Sequence, residues 1–320
     1  MKLFKRLFSI EKKPRKGLIL VEWVMLIYVL FTLLLLLLTF TKIQNPMSII
    51  WLRVQAIMMV LGLWLVYRMI PCGLTMLLRI LAQFALLGSW YPETFEFNRI
   101  MPNLDHVFAS YEQQLFGCQP ALLFSQKWSS PVVSELLTMG YVSYYPMMVL
   151  VPLFYFFYRS EQFVKSAFIT ITSFFLFYVI FIFLPVAGPQ YYYPAAGIDQ
   201  IAQGVFPNIG NYFETHSEGL PAPGYTDGFF YKILMWFHEA GERPTAAFPS
   251  SHVGVTVILL WLAWATGNRR FFWLLVPFGM LMFFATFYIQ AHYAIDAIAG
   301  LVVGTLMYFL LLGVYKIRSF

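Results

Sequence analysis

Residues 18–40 read LILVEWVMLIYVLFTLLLLLLTF, a run with a single charged side chain, Glu22. A bilayer's hydrocarbon core needs about 20 consecutive apolar residues from a spanning helix, and this run supplies them. Similar runs recur along the chain. We therefore expect an all-α, polytopic membrane helix bundle with about eight transmembrane helices. They are predicted near residues 18–40, 47–67, 70–89, 131–158, 163–185, 249–266, 271–289 and 292–315.

The composition of the whole chain supports a membrane protein. Of its 320 residues, 60% are hydrophobic and 11% are charged. Ordinary soluble domains are roughly 45–50% apolar and about 25% charged, so both fractions depart in the same direction. These values exclude a disordered chain, a collagen-like repeat and a disulfide scaffold, and they argue against a water-soluble enzyme.

The distribution of charge predicts the orientation in the membrane. The chain carries a net charge of +6, and residues 1–17 hold Lys2, Lys5, Arg6, Lys12, Lys13, Arg15 and Lys16 against Glu11. A basic segment directly before an apolar run keeps the N-terminus in the cytoplasm, and we expect this role rather than nucleic-acid binding. Eight crossings return the C-terminus to the cytoplasm. The acids concentrate in two predicted outer loops, 90–130 and 186–248, on the periplasmic or lumenal side.

These features predict three parts of the chain. Residues 1–17 form a basic cytoplasmic arm, and residues 18–67 form two N-terminal transmembrane helices. Residues 70–316 form a six-helix membrane domain that carries both outer loops.

The first motif that suggests chemistry is Pro249-Ser250-Ser251-His252. Proline at the first helical position with serine beside it is typical of a helix start. Free backbone N–H groups at such a start, with the helix dipole behind them, can hold a phosphate. We expect His252 one turn into this helix, facing the phosphate. A capped helix start with an interfacial histidine is the alternative.

The second motif is His292-Tyr293-Ala294-Ile295-Asp296. His292 and Asp296 are four residues apart, so on a helix they share one face and the carboxylate can hold the imidazole. A histidine held in this way is a better nucleophile or base. A buried ion pair or half of a metal site is the alternative. A metal wants three or four ligands, and since no further cluster has suitable spacing, no metal or other cofactor is expected.

Topology brings a third segment to the same face. The fifth predicted span ends at Gly188-Pro189-Gln190-Tyr191-Tyr192-Tyr193, the sixth begins at His252, and the last two meet at His292. Two histidines, a carboxylate and a phosphate cradle at one depth suit phosphoryl transfer through a phospho-histidine.

Taken together, these residues resemble the type 2 phosphatidic acid phosphatase superfamily. Pro249-Ser250-Ser251-His252 resembles its second signature, and His292-x-x-x-Asp296 its third. The inositol phosphorylceramide synthase branch is more similar, because Thr286-x-Tyr288-x-x-x-His292-Tyr293-x-x-Asp296 matches its longer third signature. Asp105, Leu115-Phe116-Gly117-Cys118-Gln119-Pro120 and the Gly188-Pro189 turn resemble further segments of that branch.

Two signatures of the superfamily's lipid phosphatases are incomplete. Arg243-Pro244 is present, but Trp236 stands where the Lys-x6-Arg-Pro signature has lysine. Ala285 and Thr286 stand in place of the Ser-Arg pair. A phosphodiester carries one negative charge less than a phosphomonoester, so the missing cations favour a transferase that acts on diester lipids.

The resemblance implies roles for individual residues. His292 attacks phosphorus, Asp296 holds its ring, and His252 protonates the departing lipid oxygen and later takes a proton from the acceptor hydroxyl. The remaining predicted contacts to phosphate or substrate are Ser250, Ser251, Gly188, Pro189, Tyr192, Lys232, Arg243 and Tyr293. For Lys232 and Arg243, a solvated loop charge is the alternative. The implied partners are membrane lipids: a donor such as phosphatidylinositol and an acceptor such as ceramide.

Two other functions compete with a head-group phosphotransferase. A lipid phosphate or diphosphate phosphatase would use the same histidines with water as acceptor. A transporter would route ions along Asp296, Arg79 and Glu135. The ionisable residues cluster at one face and no inverted repeat is visible, so the enzyme is favoured. The roles of Glu22, Arg53, Arg79 and Glu135 stay open, with pairing between helices as one option.

Overall fold

The computed structural model describes residues 7–318, apart from the side chains of Glu239, Ala240 and Arg318. Within this range the chain forms helices and no β-strand, which confirms the predicted all-α class. The helices are α1 (Leu20–Thr39), α2 (Pro46–Met69), α3 (Gly73–Asn98), α4 (Asp105–Phe116), α5 (Pro120–Lys127), α6 (Pro131–Val142), α7 (Tyr144–Tyr158), α8 (Phe163–Phe183), α9 (Pro189–Ala196), α10 (Ile198–Ala202), α11 (Phe229–Gly241), α12 (Ser251–Ala265), α13 (Arg269–Tyr288) and α14 (Ala294–Arg318). Residues 1–6 of the predicted basic arm lie outside the described residues.

Six of these helices, α1, α2, α3, α8, α13 and α14, are long and apolar enough to cross a membrane. Helices α6 and α7 form a seventh crossing if the 42° bend between them is counted within one span. Helix α12, the predicted sixth span, is apolar but has only 15 residues. At about 1.5 Å per residue it is shorter than a hydrocarbon core of roughly 30 Å. The described residues thus form a multi-pass helix bundle with six or seven helices of spanning length and the shorter apolar α12, in line with the about eight predicted.

The third crossing is longer than predicted. Helix α3 continues to Asn98 through Pro92, whereas the sequence placed its end near residue 89 and assigned the rest to an outer loop. Trp90, Phe95 and Asn98 are buried against neighbouring helices. This packing sustains the helix across a proline that local propensity alone would treat as a stop.

Helix α12 lies at the centre of the catalytic region, in contact with α7, α8, α13 and α14. Its closest neighbour is α14, and glycines permit that approach. A Cβ atom on Gly304 would collide with the backbone of Gly254, and one on Gly300 would collide with the carbonyl of Ser250. The two helices that begin at the histidine motifs are therefore held together at backbone contact distance.

Buried ion pairs join the two N-terminal helices to α3. The Arg79 Nε atom donates to Glu22 Oε1 at 2.7 Å, and Arg53 Nη1 lies 2.5 Å from a Glu93 carboxylate oxygen. Glu22 and Arg79 are fully buried. A charge in a membrane helix is costly unless it is paired, so these contacts account for Glu22, Arg53 and Arg79 as links between helices.

Candidate active site

The first histidine motif lies at the start of α12. Ser250 is the N-cap residue, and its Oγ accepts a hydrogen bond from the Val253 N–H at 3.4 Å. The helix begins at Ser251, so His252 is its second residue. The predicted helix start is present, but Pro249 precedes the cap instead of occupying the first helical position. Since the first turn of a helix leaves its N–H groups without intrahelical partners, His252 lies beside a site suited to an anion.

The two motif histidines face each other. His252 Nδ1 and His292 Nε2 are 3.4 Å apart, and the ring centroids are separated by 5.6 Å. On its other side, His252 Nε2 lies 3.1 Å from the Tyr141 hydroxyl. Tyr144 packs against the same imidazole, with a centroid separation of 4.8 Å. His252 is thus held between two tyrosines with one nitrogen directed at His292.

A backbone carbonyl orients His292, rather than the predicted carboxylate. His292 Nδ1 lies 2.7 Å from the Ala247 oxygen, whereas the nearest Asp296 oxygen is 3.7 Å away, beyond hydrogen-bond distance. The predicted His292–Asp296 hydrogen bond is therefore wrong. The physical reason is that His292 lies in the turn before α14, which begins at Ala294, so helical spacing does not relate the two residues.

This arrangement leaves Nε2 of His292 without a proton. A carbonyl oxygen only accepts, so Nδ1 of His292 carries the proton and donates to Ala247, and Nε2 keeps its lone pair toward His252. Burial lowers the pKa of His292 to about 4, although the Ala247 hydrogen bond opposes that shift. The imidazole is accordingly neutral near pH 7, which is the form that can attack phosphorus.

Asp296 holds the two motifs together instead. Its Oδ2 accepts a hydrogen bond from the Tyr293 N–H at 2.8 Å, and its backbone oxygen accepts one from the Ser250 N–H at 3.0 Å. The Asp296 carboxylate therefore fixes Tyr293, the residue that follows His292. The backbone oxygen of Asp296 fixes Ser250, the cap of α12. Asp296 acts on the site through backbone geometry.

A second buried carboxylate, Asp105, supports the turn next to the histidines. Its oxygens accept hydrogen bonds from the Ala187 N–H at 2.6 Å, the Gly188 N–H at 2.8 Å and the Tyr293 hydroxyl at 2.9 Å. The Asn103 side-chain amide adds a fourth, at 2.6 Å. Asp105 thus joins α4, the turn before α9 and the segment after His292.

Gly188 is required at that turn for two reasons. Its φ of +92° lies in the left-handed region that side chains disfavour, and a Cβ atom would lie 2.7 Å from the Ala291 oxygen. The turn can therefore pass directly behind the residue that precedes His292. Pro189 is the first residue of α9, where its missing backbone N–H costs no helical hydrogen bond.

Two spaces that share lining residues lie beside the histidines. A small polar pocket of about 20 Å³ is lined by both histidines together with Ser251, Gln190 and Arg243, among other residues. A larger cavity of about 670 Å³ extends from His252 between α3, α7 and α8, and its walls are mostly leucine, phenylalanine, tyrosine and other apolar side chains. The histidine pair therefore lies where a polar pocket meets a long apolar space.

The other predicted contacts fall at different distances from this pocket. Arg243 lines it, whereas Lys232 is exposed on α11 and lines neither space. The Tyr192 hydroxyl donates to the Pro207 oxygen at 2.8 Å, and the Tyr293 hydroxyl donates to the Asp105 carboxylate. Ser250 is buried as a cap. Among the predicted contacts, Ser251 and Arg243 are thus the side chains that border the pocket.

Sequence reasoning missed several residues that form the site: Tyr141, Gln190, His238, Glu242 and the carbonyl of Ala247. His238 Nε2 lies 3.2 Å from Glu242 Oε1, and the Gln190 amide nitrogen lies 3.4 Å from His238 Nδ1. An i, i+4 His–Glu pair immediately before Arg243-Pro244 is the signal that could have identified two of them. Within residues 7–318, no group of three or more His, Cys, Asp or Glu is placed to hold a metal.

A family comparison identifies the class of protein. A model of the PAP2 superfamily matches residues 106–310, a segment that contains both histidine motifs and Arg243. The chain belongs to this superfamily, which confirms the resemblance seen in the motifs. Searches of curated proteins and of solved structures find no match. Members of the superfamily are phosphatases or phosphotransferases, and the chain is accordingly a multi-pass membrane lipid enzyme of this type.

Proposed function

We propose that the protein is a lipid head-group phosphotransferase of the inositol phosphorylceramide synthase kind. The observation that carries the proposal is the pair of histidines, 3.4 Å apart, of which His252 also lines an apolar cavity of about 670 Å³. The donor is a glycerophospholipid such as phosphatidylinositol, and the acceptor is a lipid hydroxyl such as that of ceramide.

In the first half-reaction, Nε2 of His292 attacks the phosphorus of the donor. The new N–P bond forms as the P–O bond to the diacylglycerol oxygen breaks, and His252 gives a proton to that departing oxygen. The head group stays attached to the phosphorus on His292. Arg243 and the N-terminus of α12, with Ser251, stabilise the non-bridging oxygens.

In the second half-reaction, the acceptor hydroxyl attacks the same phosphorus. Its oxygen forms the new O–P bond, the N–P bond breaks, and the bonding electrons return to Nε2 of His292. The proton of the hydroxyl restores the protonated state of His252. The enzyme ends as it began, and no other reactant is consumed.

The positions of the missing phosphatase cations support transfer from a diester. Ala285 and Thr286 are fully buried, and the Thr286 hydroxyl donates to the Phe283 oxygen at 2.9 Å. Trp236 is 65% exposed and lines neither space around the histidines. Arg243 is the one lysine or arginine among the described residues that line the polar pocket. One guanidinium suits the single charge of a phosphodiester better than a dianion.

The charge distribution supports an orientation. With the basic N-terminal segment and the C-terminus in the cytoplasm, the histidines lie toward the periplasmic or lumenal face, either in a bacterial inner membrane or in a Golgi-type membrane. A lipid phosphatase with water as acceptor is the second function compatible with the family and the histidine pair.

The test uses the purified full chain in detergent with fluorescent ceramide and phosphatidylinositol, with and without EDTA. Wild-type protein is expected to form a labelled anionic lipid in both conditions, and His292→Ala to form none. If wild type leaves ceramide unchanged but releases phosphate from phosphatidic acid, the chain is a phosphatase and the proposal is wrong.

A further inference from the structure

Four residues line both the polar pocket and the apolar cavity: Tyr91, Glu242, Ser251 and His252. They lie on the boundary that the two spaces share, which we call the aperture. A lipid whose chains occupy the larger cavity must present its polar end to the histidines through the aperture. Its hydroxyl therefore approaches phosphorus past these four side chains.

Glu242 is the one carboxylate among the described residues that line either space. It directly follows α11, and its side chain is 22% exposed. It thus has one face packed in protein and another available to a molecule in the aperture. Neither phosphate binding nor the attack by His292 assigns it a role, since a carboxylate repels the phosphate oxygens.

A chain of polar groups lies behind Glu242. The Gln190 amide donates to His238 Nδ1, which leaves the proton of the neutral imidazole on Nε2, an atom 3.2 Å from Glu242 Oε1 but without hydrogen-bond geometry toward it. Gln190 Oε1 and His238 Nε2 are buried without a hydrogen-bond partner in the described structure. Buried polar atoms are usually satisfied, so the unpartnered Oε1 of Gln190, a residue that lines the polar pocket, indicates a ligand that completes it.

The protonation behaviour of Glu242 fits contact with a hydroxyl. Burial raises the pKa of this carboxyl to about 7, and burial lowers the pKa of His238 to about 4. A carboxylate with a pKa near the working pH accepts a proton more readily than an ordinary glutamate does.

We propose that Glu242 binds the hydroxyl of the acceptor lipid in the aperture and takes its proton as the new O–P bond forms. In this step the His292–phosphorus bond breaks and its electrons return to Nε2, while the O–H bond breaks and its proton moves to the carboxylate. Glu242 then passes the proton to His252, which borders the same aperture. The inference rests on the proposed function and adds the residue that takes the proton of the acceptor hydroxyl.

The experiment separates the two half-reactions in the purified full chain. The first is the burst of diacylglycerol released from radiolabelled phosphatidylinositol without acceptor, and the second is transfer to fluorescent ceramide. Glu242→Gln keeps the shape of the side chain but cannot accept the proton. It is expected to lower transfer about 100-fold and to leave the burst within about threefold of wild type.

Two further variants serve as controls. Glu218→Gln removes an exposed loop carboxylate and is expected to leave both half-reactions unchanged. Glu242→Asp restores a carboxylate and is expected to recover part of the transfer, and the thermal midpoint of each variant reports folding. Equal transfer by Glu242→Gln and wild type would overturn the inference, as would an equal loss of burst and transfer. If wild-type protein itself gives a burst but no labelled ceramide product, the proposed function fails instead.

Discussion

Two carboxylates near the histidines have opposite surroundings. Asp105 is fully buried, and its oxygens accept four hydrogen bonds, from Asn103, Ala187, Gly188 and Tyr293. Glu242 borders two cavities, and the Gln190–His238 chain behind it retains unsatisfied polar atoms. The first carboxylate completes its hydrogen bonds within the protein, whereas the second leaves them open toward the pocket.

The difference separates a carboxylate with a structural role from one that is available for a reaction. A carboxylate whose acceptor positions are filled by backbone N–H groups stabilises a turn, and its removal leaves those donors buried and unpaired. A carboxylate with a free face at a cavity is available to a ligand. We therefore expect changes at Asp105 to affect folding and changes at Glu242 to affect one reaction step.

The largest effect is expected at His292, which lies between these two regions. His292→Gln removes the nucleophile but retains a polar side chain that can donate to Ala247. We expect turnover to fall by at least about 10³-fold, because the acceptor oxygen has no efficient direct route to the donor phosphorus. Steady-state assays with phosphatidylinositol and ceramide check this. Turnover within tenfold of wild type would mean that another group attacks.

Loss of Asp105 should reduce stability. Asp105→Ala leaves the Ala187 and Gly188 N–H groups buried without their acceptor, at a cost of about 1–3 kcal/mol for each unsatisfied group. We expect a lower thermal midpoint in detergent, with the burst and transfer reduced together in proportion to the folded fraction. An unchanged midpoint with a selective loss of transfer would reverse the comparison with Glu242.

The pH dependence of transfer should follow Glu242. The pKa of Glu242 is about 7, so at lower pH its carboxyl is protonated and cannot take a proton. Transfer should therefore fall about tenfold for each pH unit well below 7. His292, with a pKa of about 4, stays neutral between pH 6 and 8. His238 and the tyrosines Tyr91, Tyr141, Tyr145 and Tyr191 lie near this carboxyl, and Arg243 and His252 line the same pocket, so Glu242→Gln is the control that isolates it. A variant that keeps the full pH dependence would assign the titration to another group.

Arg243 and Lys232 provide the smallest contrast. Arg243 lines the polar pocket and Lys232 lies exposed on α11, so only the first is placed to contact phosphate. We expect Arg243→Ala to raise the KM for the donor roughly five- to tenfold, corresponding to about 1–1.4 kcal/mol. Lys232→Ala should leave KM unchanged. Equal effects of the two substitutions would show that the charge acts at long range rather than in the pocket.

The sequence predicted the parts of the molecule that depend on local pattern. Apolar runs of spanning length placed most of the helices, because hydrocarbon thickness imposes that length. The motifs around His252 and His292 identified the superfamily, since the spacing of residues within a motif is visible in the sequence without knowledge of the fold. The end of α3 at Asn98 was missed because tertiary packing carries the helix past Pro92.

The remaining site depends on contacts between distant segments. The acceptor for His292 is the main-chain oxygen of Ala247, 45 residues away. Every residue has such an oxygen, so the sequence does not show which one binds His292. Glu242 resembles any loop carboxylate in the sequence. What distinguishes Glu242 is its position beside two cavities, and cavities form only when the helices pack together.

The central claim is that His292 carries the phosphorylated head group between donor and acceptor. The most direct measurement incubates the purified chain with ³²P-phosphatidylinositol without acceptor, quenches within milliseconds, and maps the labelled peptide. We predict an acid-labile, base-stable label on the peptide that contains His292, which disappears when ceramide is added and is absent from His292→Gln. A label on another residue, or none while wild type still forms the ceramide product at full rate, would contradict the account.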